Sequence, residues 1–206
     1  MEKDMPGELP EKPNFAAIEA AAAHSAGRRT YIMALIGNLT YSWSNNESMF
    51  IYVLMLLMGT DQAVAAIVFA TLNTTRARIE LIERLAKIKI AEKPVAKELA
   101  RIISRFNDLT RLRNEFNHCL YRVNEQGEIT HTQSIRVHEV ADGLQFGVVR
   151  EMDDARLAEI SEAIGKMTKL NRDIWSFLPS LQQYLASGVR ASGGEEATKG
   201  GKKNGA

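Results

Sequence analysis

The spacing of apolar positions along the chain predicts a mainly helical protein. Apolar residues recur close to the 3.6-residue helical period in segment 61–90 and again in segment 94–120. A third long helix is predicted over 153–185, where Pro179 should kink or split it because proline lacks a backbone N–H donor. These segments favour an all-α architecture built from long helices.

The first sixty residues predict three more helices, separated by residues that favour helix ends. An alanine-rich helix is expected over 14–26 and a second one over 29–41. A strongly apolar third helix should start after the cap candidates in 44–47 and end at Met58. The residues predicted to begin or end helices along the chain are Asn14, Gly27, Gly59, Thr60 or Asp61, Pro94 and Asp153.

One β-hairpin is predicted before the last long helix, over about 128–149. The stretch 128–137 is β-branched and partly alternating, and the stretch 144–149 can pair back against it. Turn residues stand at 124–127 and at 141–143. The predicted fold is therefore mainly all-α, a helical bundle with an inserted β-hairpin.

The two ends of the chain differ in composition from the segment between them. Residues 1–12 are rich in proline, glycine and charge, and residues 187–206 are rich in glycine, alanine and lysine without an apolar period. Both ends are predicted to be disordered. The remaining residues, 13–186, are enough for a single domain with a sizeable core.

Charge and cysteine content limit the classes of function. Twenty-six basic residues and 25 acidic ones give a net charge of +1, so a basic site must be local. A single cysteine, Cys119, excludes an internal disulfide and fits a reducing compartment. The N-terminus lacks the basic and then apolar run of a signal peptide. A cytoplasmic protein is therefore expected.

A membrane-spanning alternative arises from the apolar segment 49–72. Its only strongly polar side chains are Asp61 and Gln62, in the middle, where an aspartate costs about 2.5–3.5 kcal/mol on insertion scales. The sequence 59–61 is better explained as the end of one buried helix and the start of the next. We therefore expect no membrane partner and keep a membrane-associated regulator as a distant alternative.

The candidate chemistry lies in six consecutive residues, 113–118, with the sequence Arg-Asn-Glu-Phe-Asn-His. On a helix, residues four apart share a face, so Asn114 lies on the face of His118, and Asn117 on that of Arg113. Arg113 and His118 are about 140° apart, but the long arginine can reach a phosphate beside His118. The segment predicts a site at the edge of a packed helical face.

These residue types suit cleavage of a phosphodiester. Histidine exchanges protons near neutral pH, and arginine stabilises charge that develops on phosphate oxygens. No separate nucleophile is needed if an RNA 2′-hydroxyl attacks its own phosphate. That agrees with the sequence, in which no metal-ligand spacing and no Ser or Cys triad is evident. No metal and no cofactor is expected.

Arg113, Asn114 and His118 resemble the signature of the HEPN superfamily. That signature is an Arg, four to six residues and a His, usually with Asn, Asp or His directly after the Arg. The resemblance is specific at these three positions and architectural over roughly 30–185. The hairpin at 128–149 departs from the minimal family pattern.

The resemblance implies a helical bundle that forms a homodimer, with two copies of the motif facing one cleft. It also implies a metal-independent endoribonuclease that cleaves single-stranded RNA, with Arg113 and His118 catalytic and Asn114 supporting them. Many such proteins are toxins, defence effectors or partners of a nucleotidyltransferase. An antitoxin or another regulator is thus an expected protein partner, alongside RNA.

Further residues near the motif are candidates for binding substrate. Tyr121 lies about 60° around the predicted helix from His118 and could stack on a base or bind a phosphate. Arg111 and Asn117 complete the set of substrate-binding candidates. Asp108 and Glu115 could pair with the arginines, although such pairs on helices are usually solvated.

A second interpretation assigns the chain no catalysis. The same helices would form a dimer or bind a protein partner, and Arg113 and His118 would make interface hydrogen bonds. Some HEPN-like proteins keep the helices without activity, so the motif alone does not decide between a ribonuclease and an interaction module.

Overall fold

A computed structural model describes residues 15–140 and 143–199, and within these ranges the chain is mainly helical, as predicted. The predicted N-terminal segment 1–12, residues 200–206 of the predicted tail 187–206, and residues 141 and 142 of the second predicted turn lie outside the described residues. The elements in chain order are α1 (Phe15–Met58), α2 (Gln62–Thr71), α3 (Thr75–Lys89), α4 (Lys93–Asn117), β1 (Cys119–Val123), β2 (Ile129–Ser134), β3 (Val137–Val140), β4 (Gly143–Phe146), β5 (Val149–Glu151) and α5 (Asp154–Lys199).

The described residues fall into two compact units. We call residues 15–37 and 114–161 the sheet unit, because they include all five strands. We call residues 38–113 and 162–199 the helical unit. The boundary between the units falls between Arg113 and Asn114, inside the predicted motif.

The three helices predicted before residue 59 are one continuous helix, α1, so the predicted breaks are wrong. Gly27 lies within the helix and is exposed, and a glycine there costs stability without forcing a break. Asn46 does not cap a helix. Its side-chain amide donates to the carbonyl of Met167, and its side-chain oxygen accepts from Asn171, both on α5. A tertiary contact therefore uses the asparagine that the sequence assigned to a helix start.

The predicted helix boundary at Gly59 is confirmed. Gly59 has a positive φ of 65°, which is accessible to glycine and ends α1. Asp61 then caps α2, because its carboxylate accepts a hydrogen bond from the backbone N–H of Val64 at 2.9 Å. The short-range capping chemistry of this turn is therefore readable from the sequence.

The single helix predicted over 61–90 is in fact two helices, α2 and α3. The hydroxyl of Thr74 accepts from the backbone N–H of Ala77 and begins α3. The guanidinium of Arg78 donates to the carbonyls of Phe69 and Leu72 at the end of α2. The apolar period continues across this break, so periodicity did not reveal it.

The helical unit has an apolar core with aromatic contacts at its centre. The rings of Phe50 and Phe106 meet edge to face, with their centroids 5.0 Å apart. The predicted start of α4 next to Pro94 is confirmed, since the helix begins at Lys93. Fully buried side chains of this unit include Phe50, Leu54, Leu57, Ile82, Leu99, Ile102, Phe106, Met167, Leu170, Ile174 and Leu181.

The predicted pairing of 144–149 with 128–137 is confirmed in part, since Val149 pairs with Gln133 and Phe146 with Val137, but these strands belong to two sheets, and β1 adds a strand to one of them. β2 lies between β1 and β5 and is antiparallel to both, while β3 and β4 form a separate two-stranded hairpin. Gly147 lies close to the backbone of Ser134, the last residue of β2. A Cβ at position 147 would be 2.3 Å from the carbonyl oxygen of Ser134. Only glycine fits there, and its φ is 72°.

The end of α4 also differs from the prediction. The predicted helix to Leu120 is wrong, because α4 ends at Asn117 and β1 begins at Cys119. The turn predicted at 124–127 is confirmed by the hydrogen bond from the N–H of Gly127 to the carbonyl of Asn124. β1 was missed because its apolar residues continue the spacing of the helix before it.

The last helix begins as predicted. The carboxylate of Asp153 accepts from the backbone N–H of Arg156 at 2.7 Å and caps α5. α5 is not split at Pro179, which lies inside one helix. The helix continues to Lys199, beyond the end predicted at Leu185 and into the predicted tail 187–206.

The apolar segment around residue 59 is bent. Among the described helices, none is on its own long and apolar enough to cross a membrane. The part of α1 from Gly27 to Met58 meets that test of length and composition only together with α2, and the two helices are bent by 117° at the break between them.

Candidate functional site

The predicted motif occupies the last turn of α4 and the residue after it. Arg113 belongs to the helical unit, and Asn114 to His118 belong to the sheet unit. The surroundings of each candidate are therefore those of its own unit.

Arg113 is half-buried and stacks on Trp43 of α1. The central carbon of the guanidinium lies 3.8 Å from the centroid of the indole ring, which is a cation–π contact. Burial lowers the pKa of Arg113 from its ordinary value, and the nearby carboxylate of Glu47 acts in the opposite direction. Arg113 is thus a cation partly removed from water and held against an aromatic face.

Trp43 is itself fixed within the helical unit. The residue is 4% exposed, and its Nε1–H donates to the hydroxyl of Thr110 at 2.8 Å. Thr110 in turn donates to the carbonyl of Phe106. The ring of Phe106 stacks on Trp43, with centroids 5.7 Å apart and planes 20° apart. The indole of Trp43 is therefore in contact with the ring of Phe106, hydrogen-bonded to Thr110 and covered by the guanidinium of Arg113.

Glu47 lies one helical turn after Trp43 and is bound by residues of α3. Its Oε1 accepts from the hydroxyl of Thr75 at 2.6 Å and pairs with the guanidinium of Arg78 at 3.1 Å. The side chain of Glu47 is 13% exposed. A largely buried carboxylate with fixed partners thus lies near Arg113.

Arg111 has a different environment from Arg113. Its side chain is 82% exposed and pairs with Asp108 at 3.4 Å. The predicted pairing of Asp108 with an arginine of this helix is therefore confirmed, and it is a solvated pair. Arg111 is therefore accessible to an anion from solvent.

His118 is exposed and follows the last residue of α4. Its backbone N–H donates to the carbonyl of Asn114 at 3.0 Å, so the helical hydrogen-bonding pattern continues to His118. Asn117 is exposed, and Asn114 is half-buried. The imidazole is thus accessible, on a backbone that the preceding turn holds.

The sequence predicted that Tyr121 lies on the same helix as His118, and this is wrong. Tyr121 lies on strand β1. Its hydroxyl donates to the carbonyl of Phe116 at 2.7 Å. Burial raises the pKa of Tyr121, and the contact with Cys119 raises it further. The phenol therefore stays protonated at neutral pH, and its one proton is used in a hydrogen bond within the sheet unit.

Glu115 pairs with arginines that the sequence did not connect with it. The buried Arg156 of α5 donates to it at 2.5 Å, and Arg150 of β5 lies 3.5 Å away. Arg156 also pairs with Glu159 and lies over the ring of Phe116, 4.5 Å from its centroid. These contacts attach the end of α4 to the start of α5.

Sequence reasoning missed several neighbours of the motif, among them Trp43 and Arg156. Trp43 is 70 positions away from Arg113, and no local pattern connects them. Arg156 stands three residues after the cap of α5, where an arginine is usually solvated. One usable signal was Trp43 itself, since a buried tryptophan usually needs a partner for its N–H.

Within the part of the chain that the structure describes, no three His, Cys, Asp or Glu side chains are grouped to hold a metal ion. In comparisons with known proteins, no family model matched the chain, and no significant match was found among curated proteins or solved structures. The functional argument therefore depends on the residues of the chain itself.

Proposed function

We propose that the protein is a HEPN-like, metal-independent endoribonuclease of the cytoplasm that cleaves single-stranded RNA as a homodimer. The resemblance at Arg113, Asn114 and His118 is the basis of the proposal, and a mainly helical chain is compatible with it. A role as a toxin or defence effector, with RNA as substrate and a regulatory protein as partner, belongs to the same proposal.

The reaction is a transesterification within the RNA. The 2′-oxygen forms a bond to the adjacent phosphorus, the bond from phosphorus to the 5′-oxygen breaks, and a cyclic phosphate and a 5′-hydroxyl result. An imidazole of His118 takes the 2′-hydroxyl proton, and an imidazolium gives a proton to the leaving oxygen. Arg113 stabilises the charge on the phosphate, and Asn114 supports the imidazole.

The observation that carries the proposal is the exposure of His118 directly after α4, five residues beyond Arg113. A general acid or base must be reached by its substrate, and it works best on a rigid element. The hydrogen bond from the N–H of His118 to Asn114 supplies that rigidity. Asn117 and Arg111, both exposed, are the substrate-binding residues of the proposal, and Tyr121 contributes by holding the chain at Phe116.

The test is cleavage of total RNA by purified protein in EDTA. We expect wild type to cut, His118→Ala and Arg113→Ala to lose at least about a hundredfold in rate, and an all-2′-deoxy oligonucleotide to stay intact. His131→Ala is the matched control, because it removes a half-buried histidine of β2 from the same unit and should keep activity. Cleavage that survives in both motif variants removes the motif from the reaction.

The second candidate is a non-catalytic module for dimerisation or protein binding. One observation argues for a structural rather than a catalytic role of two candidate residues: Arg113 lies over the ring of Trp43, and Tyr121 donates a hydrogen bond to Phe116, both of which stabilise the fold. In that case His118→Ala and Arg113→Ala would lower the stability of the protein or its affinity for a partner protein. The wild-type protein would show no cleavage in EDTA.

A further inference from the structure

We propose that Trp43 is the positioning residue for Arg113, which it holds so that the edge of the guanidinium is presented to an RNA phosphate. The inference rests on the proposed function and names the side chain that makes its arginine effective. All residues in the argument belong to the helical unit.

The first step concerns the geometry of a stacked guanidinium. The guanidinium is planar, and its N–H bonds lie in that plane. The central carbon of the Arg113 guanidinium lies 3.8 Å from the indole centroid, so the ring limits the orientations that the group can adopt. Trp43 therefore restricts the directions in which Arg113 can donate.

The second step concerns the rigidity of the indole. Trp43 is fixed by the hydrogen bond of its Nε1–H to Thr110 and by the stacked ring of Phe106. Phe106 is fixed in turn by Phe50. A ring held on its edge and on its face cannot rotate freely, so it is a suitable base for orienting a long side chain.

The third step concerns the strength of the interaction with an anion. The partial burial that lowers the pKa of Arg113 also removes water from the guanidinium, and charges attract more strongly in such surroundings. Arg111, on the same helix, is 82% exposed and lacks this advantage. The ligand that suits Arg113 is thus a phosphodiester bound at the edge of a desolvated, oriented guanidinium.

The kinetic test compares two substitutions of Trp43. Trp43→Phe keeps an aromatic face and should keep kcat for RNA cleavage within about threefold, whereas Trp43→Leu removes the face and should lower kcat by about tenfold or more. Arg113→Lys should resemble Arg113→Ala, because an ammonium cannot be oriented by stacking. Equal kcat values for the Phe and Leu variants would overturn the positioning role.

The binding test uses the native Trp43 as a probe, so it does not depend on a variant of that residue. The chain has two tryptophans, and Trp175→Phe leaves Trp43 as the only one. We expect an uncleavable 2′-deoxy oligonucleotide to change the Trp43 fluorescence of this variant, and Arg113→Ala to abolish that change. An oligonucleotide that binds without affecting the fluorescence contradicts the inference.

The two tests separate this inference from the proposed function. If His118→Ala and Arg113→Ala still cleave RNA, the ribonuclease proposal fails, and Trp43 loses its role with it. If cleavage requires Arg113 but is indifferent to the aromatic face at position 43, only the positioning role fails. Should Trp43→Leu not fold, as judged by circular dichroism, the fluorescence measurement decides.

Discussion

Arg156 shows how a single side chain can join distant parts of the sheet unit. Its guanidinium lies over Phe116 and pairs with both Glu115 and Glu159, while its side chain is 5% exposed. A buried cation is tolerated only when opposite charges compensate for the water that it loses. Because Glu115 stands between Asn114 and Phe116, these ion pairs also hold the backbone of the candidate site.

We predict that Arg156→Leu destabilises the protein by about 2–3 kcal/mol. The substitution leaves Glu115 with the more distant Arg150, and the loss is at the lower end for a buried pair because Glu115 keeps 28% of its exposure. Urea unfolding measures the change. Arg111→Leu, which breaks the exposed pair with Asp108, is the control and should cost less than about 1 kcal/mol. Similar losses of unfolding free energy in the two variants would show that the ion pairs of Arg156 contribute no more than an exposed pair.

Ionisation of Tyr121 should make the stability of the sheet unit depend on pH in the alkaline range. Its folded-state pKa is raised, first by burial and then by Cys119. The stability from this shift is complete below the unfolded-state pKa of about 10 and decreases as pH rises above it.

We predict that Tyr121→Phe lowers the free energy of unfolding by about 1 kcal/mol at pH 7, because the bond to the Phe116 carbonyl is lost. The difference between wild type and the variant should shrink from pH 9 to pH 11. Tyr31→Phe, at an exposed position of α1, is the control and should keep the alkaline decline of wild type. Chemical denaturation at a series of pH values measures both, and a constant difference across the series would contradict the assignment.

Helix ends that depend on neighbouring residues were predictable from the sequence. Asp61 and Asp153 each accept from a backbone N–H three residues ahead, so the capping residue and its donor are in one short segment. The continuity of α1 was not predictable in this way. Asn46 has the composition of a cap, but its partners Met167 and Asn171 are more than 120 positions away.

Strand β1 was not predicted, for a related reason. β1 continues the apolar spacing of α4, and only its pairing with β2 and the hydrogen bond from Tyr121 to Phe116 distinguish it from another helical turn. Strand pairing is a contact between segments, and its register depends on which face is buried. Alternation within 128–149 therefore indicated these strands correctly but could not show that β2 also pairs with β1.

The cap of α5 gives a prediction at the scale of an element. We expect Asp153→Ala to lower the free energy of unfolding by about 1 kcal/mol, because the N–H of Arg156 loses its acceptor at 2.7 Å. Asp154→Ala is the neighbouring control. It removes an exposed pair with Arg28, in which Asp154 is 89% exposed, and an acidic side chain in the first turn of α5, and it should cost less. Thermal unfolding compares the two variants, and an equal or larger effect of Asp154→Ala would contradict the cap.

At the scale of the whole molecule, the sequence located the candidate chemistry better than its surroundings. The six residues 113–118 were identifiable because their types and spacing are local. Their environment was not, since the aromatic face under Arg113 and the cation beside Glu115 come from residues 70 and 41 positions away. Local patterns can therefore nominate a site, whereas its rigidity and desolvation arise only from tertiary packing.

The proposed homodimer gives the last prediction. If two copies of the motif form one cleft, the chain should sediment at twice its 22.9 kDa at micromolar concentration. A net charge of +1 opposes such association little. Specific ribonuclease activity should be constant while the dimer persists and fall on dilution below its dissociation constant, because dimers then separate into inactive single chains.

An excess of the inactive His118→Ala chain should also lower wild-type activity, since wild-type chains are drawn into mixed dimers that contain one intact motif. The measurement uses RNA in large excess over both proteins, so that competition for substrate does not contribute, and an equal mass of serum albumin is the control. Full specific activity at a concentration where sedimentation detects only single chains would show that one copy of Arg113 and His118 suffices. The same result would remove the dimeric cleft from the proposed mechanism while leaving the chemistry of the motif intact.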